Sequence, residues 1–137
     1  MTTINESYVS KALIDHLMSI PNLPHIVTEN TAYTPVIGTP YLREMDIPAI
    51  TQAPTLNTTG YQRRDGAYRI GLFYPKSTGK FQALAIADKI ISRFYRGLRL
   101  EYEEQTVEIK TTDREQIYTD GEFIQCGLMI RYTVVVN

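Results

Sequence analysis

The run Phe123-Ile124-Gln125-Cys126-Gly127-Leu128-Met129-Ile130-Arg131-Tyr132-Thr133-Val134-Val135-Val136 decides the fold. Successive side chains of an extended chain point to opposite faces, so Ile124, Cys126, Leu128, Ile130, Tyr132, Val134 and Val136 make one unbroken apolar face. The other face, from Phe123 to Val135, is mixed. Such a strand needs a covered side. At about 3.3 Å per residue it would reach roughly 46 Å. A compact domain of this length is only about 37 Å across. The strand is therefore expected to pair partly with a neighbouring chain or to bend, with Gly127 as the candidate bulge.

Outward from this run, residues 61–74 also alternate, with Tyr68, Ile70, Leu72 and Tyr74 on one face. Leu98–Tyr102 and Thr106–Thr111 read as two strands around a tight turn at Glu103–Gln105. Short strands are expected at His25–Glu29 and at Tyr41–Ile47, the latter closed by Pro48. Residues 48–60 read as a long loop. Two segments have helical periodicity instead. In 4–20, Val9, Ala12, Leu13, Leu17 and Ile20 share a face, behind a Thr3/Glu6 capping-box pattern. In 80–96, Ala83, Leu84, Ile86, Ala87, Ile90, Ile91 and Phe94 do the same. The order implies one α+β domain spanning 1–137: one mixed or antiparallel β-sheet, two helices packed on it, and long inter-strand loops.

Composition narrows the function. With 43% apolar and 21% charged residues this is an ordinary globular chain, long enough to fold without disulfides. A formal net charge of −1 argues against a dedicated nucleic-acid binder, which needs many cationic contacts to phosphate. Cys126 is the sole cysteine, so no internal disulfide forms and a reducing compartment is expected. The first residues lack the basic and apolar regions of a secretory signal, and no run approaches a membrane span of about 18 residues. Synthesis in the cytosol with no membrane partner is the expectation.

Groups able to converge on a substrate are scarce. Two histidines, His16 and His25, and one cysteine cannot supply a zinc site of ordinary spacing. His16 falls on the apolar helix face, where a hydrogen-bonded core residue is the ordinary reading. Cys126 lies on the apolar face of a strand, where thiols are inert. Ser77-Thr78-Gly79-Lys80 has Tyr74 and Phe81 where a phosphate loop needs glycine and a hydroxyl residue. No catalytic residue, metal or cofactor is expected.

The stretch from Glu29 to Pro40 then stands out. Its prolines and glycine exclude helix and central strand, yet it carries Tyr33, Val36 and Ile37. Loops longer than about 12 residues are usually functional or disordered, and this one is too apolar for disorder. A partner surface is the expected owner of that apolar area.

Four elements in order carry a family likeness: Leu23-Pro24; Glu29-Asn30 with Tyr33-Thr34-Pro35 and Gly38-Thr39-Pro40-Tyr41-Leu42-Arg43; Tyr61-Gln62-Arg63-Arg64 with Gly66, Tyr68 and Ile70; and Tyr74-Pro75, Gly79, Ala87-Asp88, Ile90 and Phe94-Arg96-Gly97. The chain resembles the phage tail terminator-like proteins, minor tail proteins of long-tailed phages. The resemblance implies a homo-oligomeric ring, usually of six copies, at the head-proximal end of the tail tube. It would stop polymerisation of the major tail tube protein and seat the head connector or stopper protein. DNA would pass through the lumen without sequence readout, and the protein would end in the virion tail or neck after assembly in the host cytoplasm. A head-side connector is the alternative of the same structural kind; a small enzyme with an unrecognised site is the other.

Under this resemblance, Tyr33, Pro35, Ile37, Pro40 and Tyr41 are expected at the subunit interface, because the loop is long and apolar. Tyr61, Arg63 and Arg64 are expected to face the tube or connector, from their place at a strand end.

Overall fold

The computed structural model describes residues 4–52 and 62–136. Helix α1 spans Glu6–Met18 and α2 spans Lys80–Arg93. The strands are β1 His25–Val27, β2 Tyr41–Gln52, β3 Gln62–Pro75, β4 Arg99–Tyr102, β5 Gln105–Arg114, β6 Tyr118–Asp120 and β7 Phe123–Val136. They form one seven-stranded sheet in the order β1-β2-β3-β7-β5-β4, with β6 beside β7. β1 runs parallel to β2 and every other pairing is antiparallel. The fold is α+β with a single mixed sheet and two helices.

Both helices cover the same side of the sheet. Val9, Leu13 and Leu17 of α1 and Ala83, Ala87 and Ile90 of α2 pack with Tyr68, Ile70 and Leu72 of β3. Cys126, Leu128, Ile130, Tyr132 and Val134 of β7 complete that core. Each fully buried aliphatic side chain there contributes about 1.5–3 kcal/mol relative to exposure. From α1, Ser10 reaches Asp46 on β2 while the Tyr8 ring packs at a tilt against Tyr102 of β4, 5.4 Å away. These strands lie towards opposite margins, so the sheet curls around this helix.

β7 does not outgrow its sheet. β3 is equally long and pairs with it from Gln62↔Val136 to Pro75↔Phe123, without a register shift. On the other side β5 takes residues 128–136 and β6 takes 123–125. The expected bend at Gly127 and the pairing of this strand with a neighbour are both overturned. The ladder is irregular elsewhere, between Ile109 and Thr111 in β5 and between Pro48 and Thr51 in β2. Gly127 serves close approach instead. A β-carbon there would lie 2.6 Å from Arg69 Nη2 and against the Glu115 carboxylate, so the missing side chain makes room for that ion pair.

Pro48 does not end β2, which continues to Gln52. β1 pairs with β2 only over Tyr41–Arg43, so at Pro48 the outer edge is open and a missing N–H breaks no ladder bond there. α2 stops at Arg93, short of the expected 96. α1 starts at Glu6 behind Asn5, which makes no side-chain cap; Thr3 of the expected capping box lies outside the described residues. Glu6 instead contacts Arg64 at 2.8 Å.

Candidate functional site

Residues 28–40 join two neighbouring parallel strands. Parallel neighbours need a crossover of about a dozen residues or more, because the chain must travel back before it can pair again. The topology therefore accounts for the loop's length. It does not account for the loop's apolar tip.

The entrance to the loop is clamped. The Glu29 N–H donates to Glu44 Oε2 at 2.7 Å, and the Glu29 side chain accepts the Asp46 N–H at 3.0 Å. Glu29 thus occupies the edge of β2 beyond the reach of β1. Glu44 is held in turn by the Tyr68 hydroxyl at 2.7 Å. Burial, with the neighbouring Glu44 carboxylate, pushes the Tyr68 hydroxyl far above the ordinary tyrosine range. On the helix-covered side, Asp46 accepts from Ser10 at 3.1 Å and from the Tyr132 hydroxyl.

Beyond the clamp, Tyr33 lies on the helix-free face of the sheet. Its ring sits 5.2 Å from that of His25 and 5.0 Å from that of Tyr41. Tyr41 stacks on Phe73 at 4.6 Å and meets Phe123 edge-on. With Val27, these residues make a small second core. Each such ring pair is worth about 0.5–1.5 kcal/mol beyond area burial. Past Tyr33 the chain leaves the protein. Val36 is 57% exposed and Ile37 75%. A turn closes between them and Thr39, whose N–H donates to the Val36 carbonyl at 3.0 Å. Gly38 sits at φ +90°, which a type II turn requires at its third position.

The expected interface residues therefore divide. Pro35 and Ile37 are exposed, and Pro40 is half-buried. Tyr33 is half-buried against its own chain, and Tyr41 retains only 4% exposure. Tyr41 is not free to meet a neighbour, because its ring is used by Phe73 and Phe123. The loop's aromatic residues anchor it, and its aliphatic tip is what it presents. Val36 belongs with Ile37 in that tip; adjacency in a proline-bounded turn was the signal for it.

The second group divides too. Tyr61 lies outside the described residues, as does the side chain of Arg63. Arg64 is 1% exposed, with its guanidinium over the Tyr132 ring and one nitrogen near Glu6. An outward-facing role does not fit that placement. β3 continues in register with β7 on both sides of position 64, which turns this side chain to the helix-covered face.

The helix-free face carries residues that the loop-centred reading missed. Met45 and Ile47 of β2 are exposed, and Met129 of β7 is half-exposed two strands away. Alternation along Tyr41, Arg43, Met45 and Ile47 was the legible signal. Two ion pairs cross the same face: Arg69 with Glu115, through contacts of 2.8 and 3.2 Å, and Arg131 with Asp113 at 2.8 Å. The bond to Glu115 raises Arg69 above its ordinary value. A groove of about 310 Å³ opens between the loop entrance and β3, with the buried Phe73 and Gln125 in its lining, Arg43, Met45 and Arg69 beside them, and the clamp carboxylates of Glu29 and Glu44 at its loop end. Among the described residues no cluster of histidine, cysteine or carboxylates could hold a metal ion. None of their helices is long and apolar enough to cross a membrane.

Solved structures place this architecture among known folds. Fourteen solved chains match. One that carries no functional description superposes with a TM-score of 0.73 at 20% identity, covering 98% of this chain and 97% of its own. That likeness establishes the fold. No curated protein matches the sequence. The family model described as phage tail terminator protein matches residues 8–132, and the chain belongs to that family. Membership gives it a structural role in the phage tail, in association with other tail components.

Proposed function

We propose that this chain is the tail terminator itself: a single domain that assembles into a ring, of six copies as is usual for such proteins, at the head-proximal end of the tail tube. The ring stops polymerisation of the major tail tube protein and offers its free side to the head connector. DNA passes through the lumen, where a near-neutral protein gives it little to adhere to. The protein works in the virion, after assembly in the host cytoplasm. Nothing in this role calls for chemistry; it calls for surfaces.

The observation that carries the reading is the loop tip, joined to the family match over residues 8–132. A loop clamped by Glu29 and seated by Tyr33 presents Pro35, Val36 and Ile37 to solvent in a fixed turn. Exposed aliphatic groups on a held loop suit a contact between subunits. Pro40 lies at the loop's base, and Tyr33 and Tyr41 act by fixing its position. Arg63 and the adjoining Tyr61 are assigned to the side that meets the tube or connector.

Electron microscopy of tails assembled with and without the protein tests this. Overlong, uncapped tubes are expected in its absence, and tubes of uniform length that join heads in its presence. Normal tubes and normal joining without it would sink the reading.

A further inference from the structure

The loop tip needs a seat, and each copy carries a candidate that its own tip does not fill. We propose that the groove on the helix-free face, bounded by Arg43, Met45, Arg69, Phe73 and Gln125, receives the Val36–Ile37 turn of an adjacent copy. The inference rests on the ring reading above and adds the receiving surface.

Plug and socket do not meet within one chain. Ile37 stays 75% exposed, and no residue of the 36–39 turn lines the groove. Two unlike surfaces on one chain, each unfilled, define a heterologous contact, the kind that generates rings when the rotation closes. The face also already accepts this loop. Tyr33 lies over Tyr41, which stacks on Phe73 in the groove's lining. An incoming turn would extend the same apolar layer across Met45.

The electrostatics match one another. No residue from Asn30 to Leu42 is charged. On the receiving face Arg69 is neutralised by Glu115, and Arg131 by Asp113. Glu29 and Glu44 also line the groove. The Glu29 carboxylate already accepts the Asp46 N–H, and that of Glu44 the Glu29 N–H and the Tyr68 hydroxyl, so an apolar turn entering there meets carboxylates that keep hydrogen-bond donors. Arg43 lies with its guanidinium 5.7 Å from the Tyr41 ring centroid, and its N–H groups suit peptide carbonyls that a turn brings.

The test uses two single substitutions, Ile37→Cys and Met45→Cys. Both sites are exposed, so neither change disturbs the fold, and the native Cys126 is buried away from them. A disulfide forms only when α-carbons approach within about 4.4–6.8 Å. Under mild oxidation the mixed variants should give a covalent dimer, and neither variant alone should. Dimers of Ile37→Cys or of Met45→Cys alone would mean a symmetric contact and overturn the proposal. Assembled rings without the mixed disulfide would overturn the groove while leaving the ring reading intact. Failure of the unmodified protein to assemble, alone or on tail tubes, would remove the ring reading and this inference together. As a second readout, light scattering should show loss of the assembled species in both Ile37→Asp and Met45→Asp; assembly by Met45→Asp would count against the groove.

Discussion

Tyr68 and Tyr132 turn their hydroxyls towards β2, where Glu44 and Asp46 accept them. Burial, chiefly, and then the adjacent carboxylates push both hydroxyls above the ordinary tyrosine range. The unfolded chain therefore releases these protons first. The stability these two hydroxyls contribute should be complete below about pH 10 and decline as the pH rises above it, by about 1.4 kcal/mol for each pKa unit separating the two states. Urea unfolding at pH 8 and pH 11 measures this. Tyr68→Phe should be less stable at pH 8 by about 1–3 kcal/mol, because Glu44 loses a donor, and should show a shallower alkaline decline. An unchanged slope would exclude Tyr68 as a source. Arg64 and Glu6 offer a second case, a buried cation whose partner is largely in water. Glu6→Ala strands that charge and should cost about 1–3 kcal/mol, below the range for a fully buried pair because Glu6 is solvated. Arg64→Met removes the charge and should cost less. Denaturant midpoints of the two variants decide the order, and the reverse order would mean that the pair stabilises the fold outright.

The central ladder owes its length to matching partners. β7 and β3 are each 14 residues long and pair end to end, and β2 on one side and β5 and β6 on the other cover most of their remaining edges. One face of β7 is core and the other is helix-free, and adjacent residues should report the difference. Leu128→Ala should cost about 2–5 kcal/mol by leaving a cavity under the helices. Met129→Ala, one residue on, should cost less than about 1 kcal/mol. Urea melts of both check this, and equal losses would mean that the helix-free face is as packed as the core. The loop between β1 and β2 teaches a related lesson. Its length follows from parallel pairing, which no local pattern announces, whereas its exposed tip has no topological cause.

For the whole molecule, the loop tip should matter to assembly and not to folding. Ile37→Asp should leave unfolding stability within about 0.5 kcal/mol, as exposed substitutions do. It should nevertheless prevent rings and leave tubes uncapped. Because the proposed contact is heterologous, the variant keeps its receiving groove and can still accept a wild-type turn. In mixtures it should poison assembly, with tail completion falling more steeply than the wild-type fraction. Particle counts by electron microscopy at several mixing ratios measure this, and a linear fall would argue against a shared closed ring.

Periodicity alone was enough for two helices, for the core faces of β3 and β7, and for the α+β class, since burial on one side imposes a period of 2 or 3.6 whatever the partner. The apolar loop was visible for a similar reason: a proline-rich segment holding Tyr33, Val36 and Ile37 conflicts with being a plain connector. Which of its residues face outward was not visible. Tyr41 and Ile37 read alike in the chain, and only the stacking of Tyr41 on Phe73, a residue 32 places further along, buries one and leaves the other in water. Arg64 likewise reads as a surface charge until register turns it under α1. Contacts between residues far apart in sequence leave no local trace, so they had to come from the folded chain.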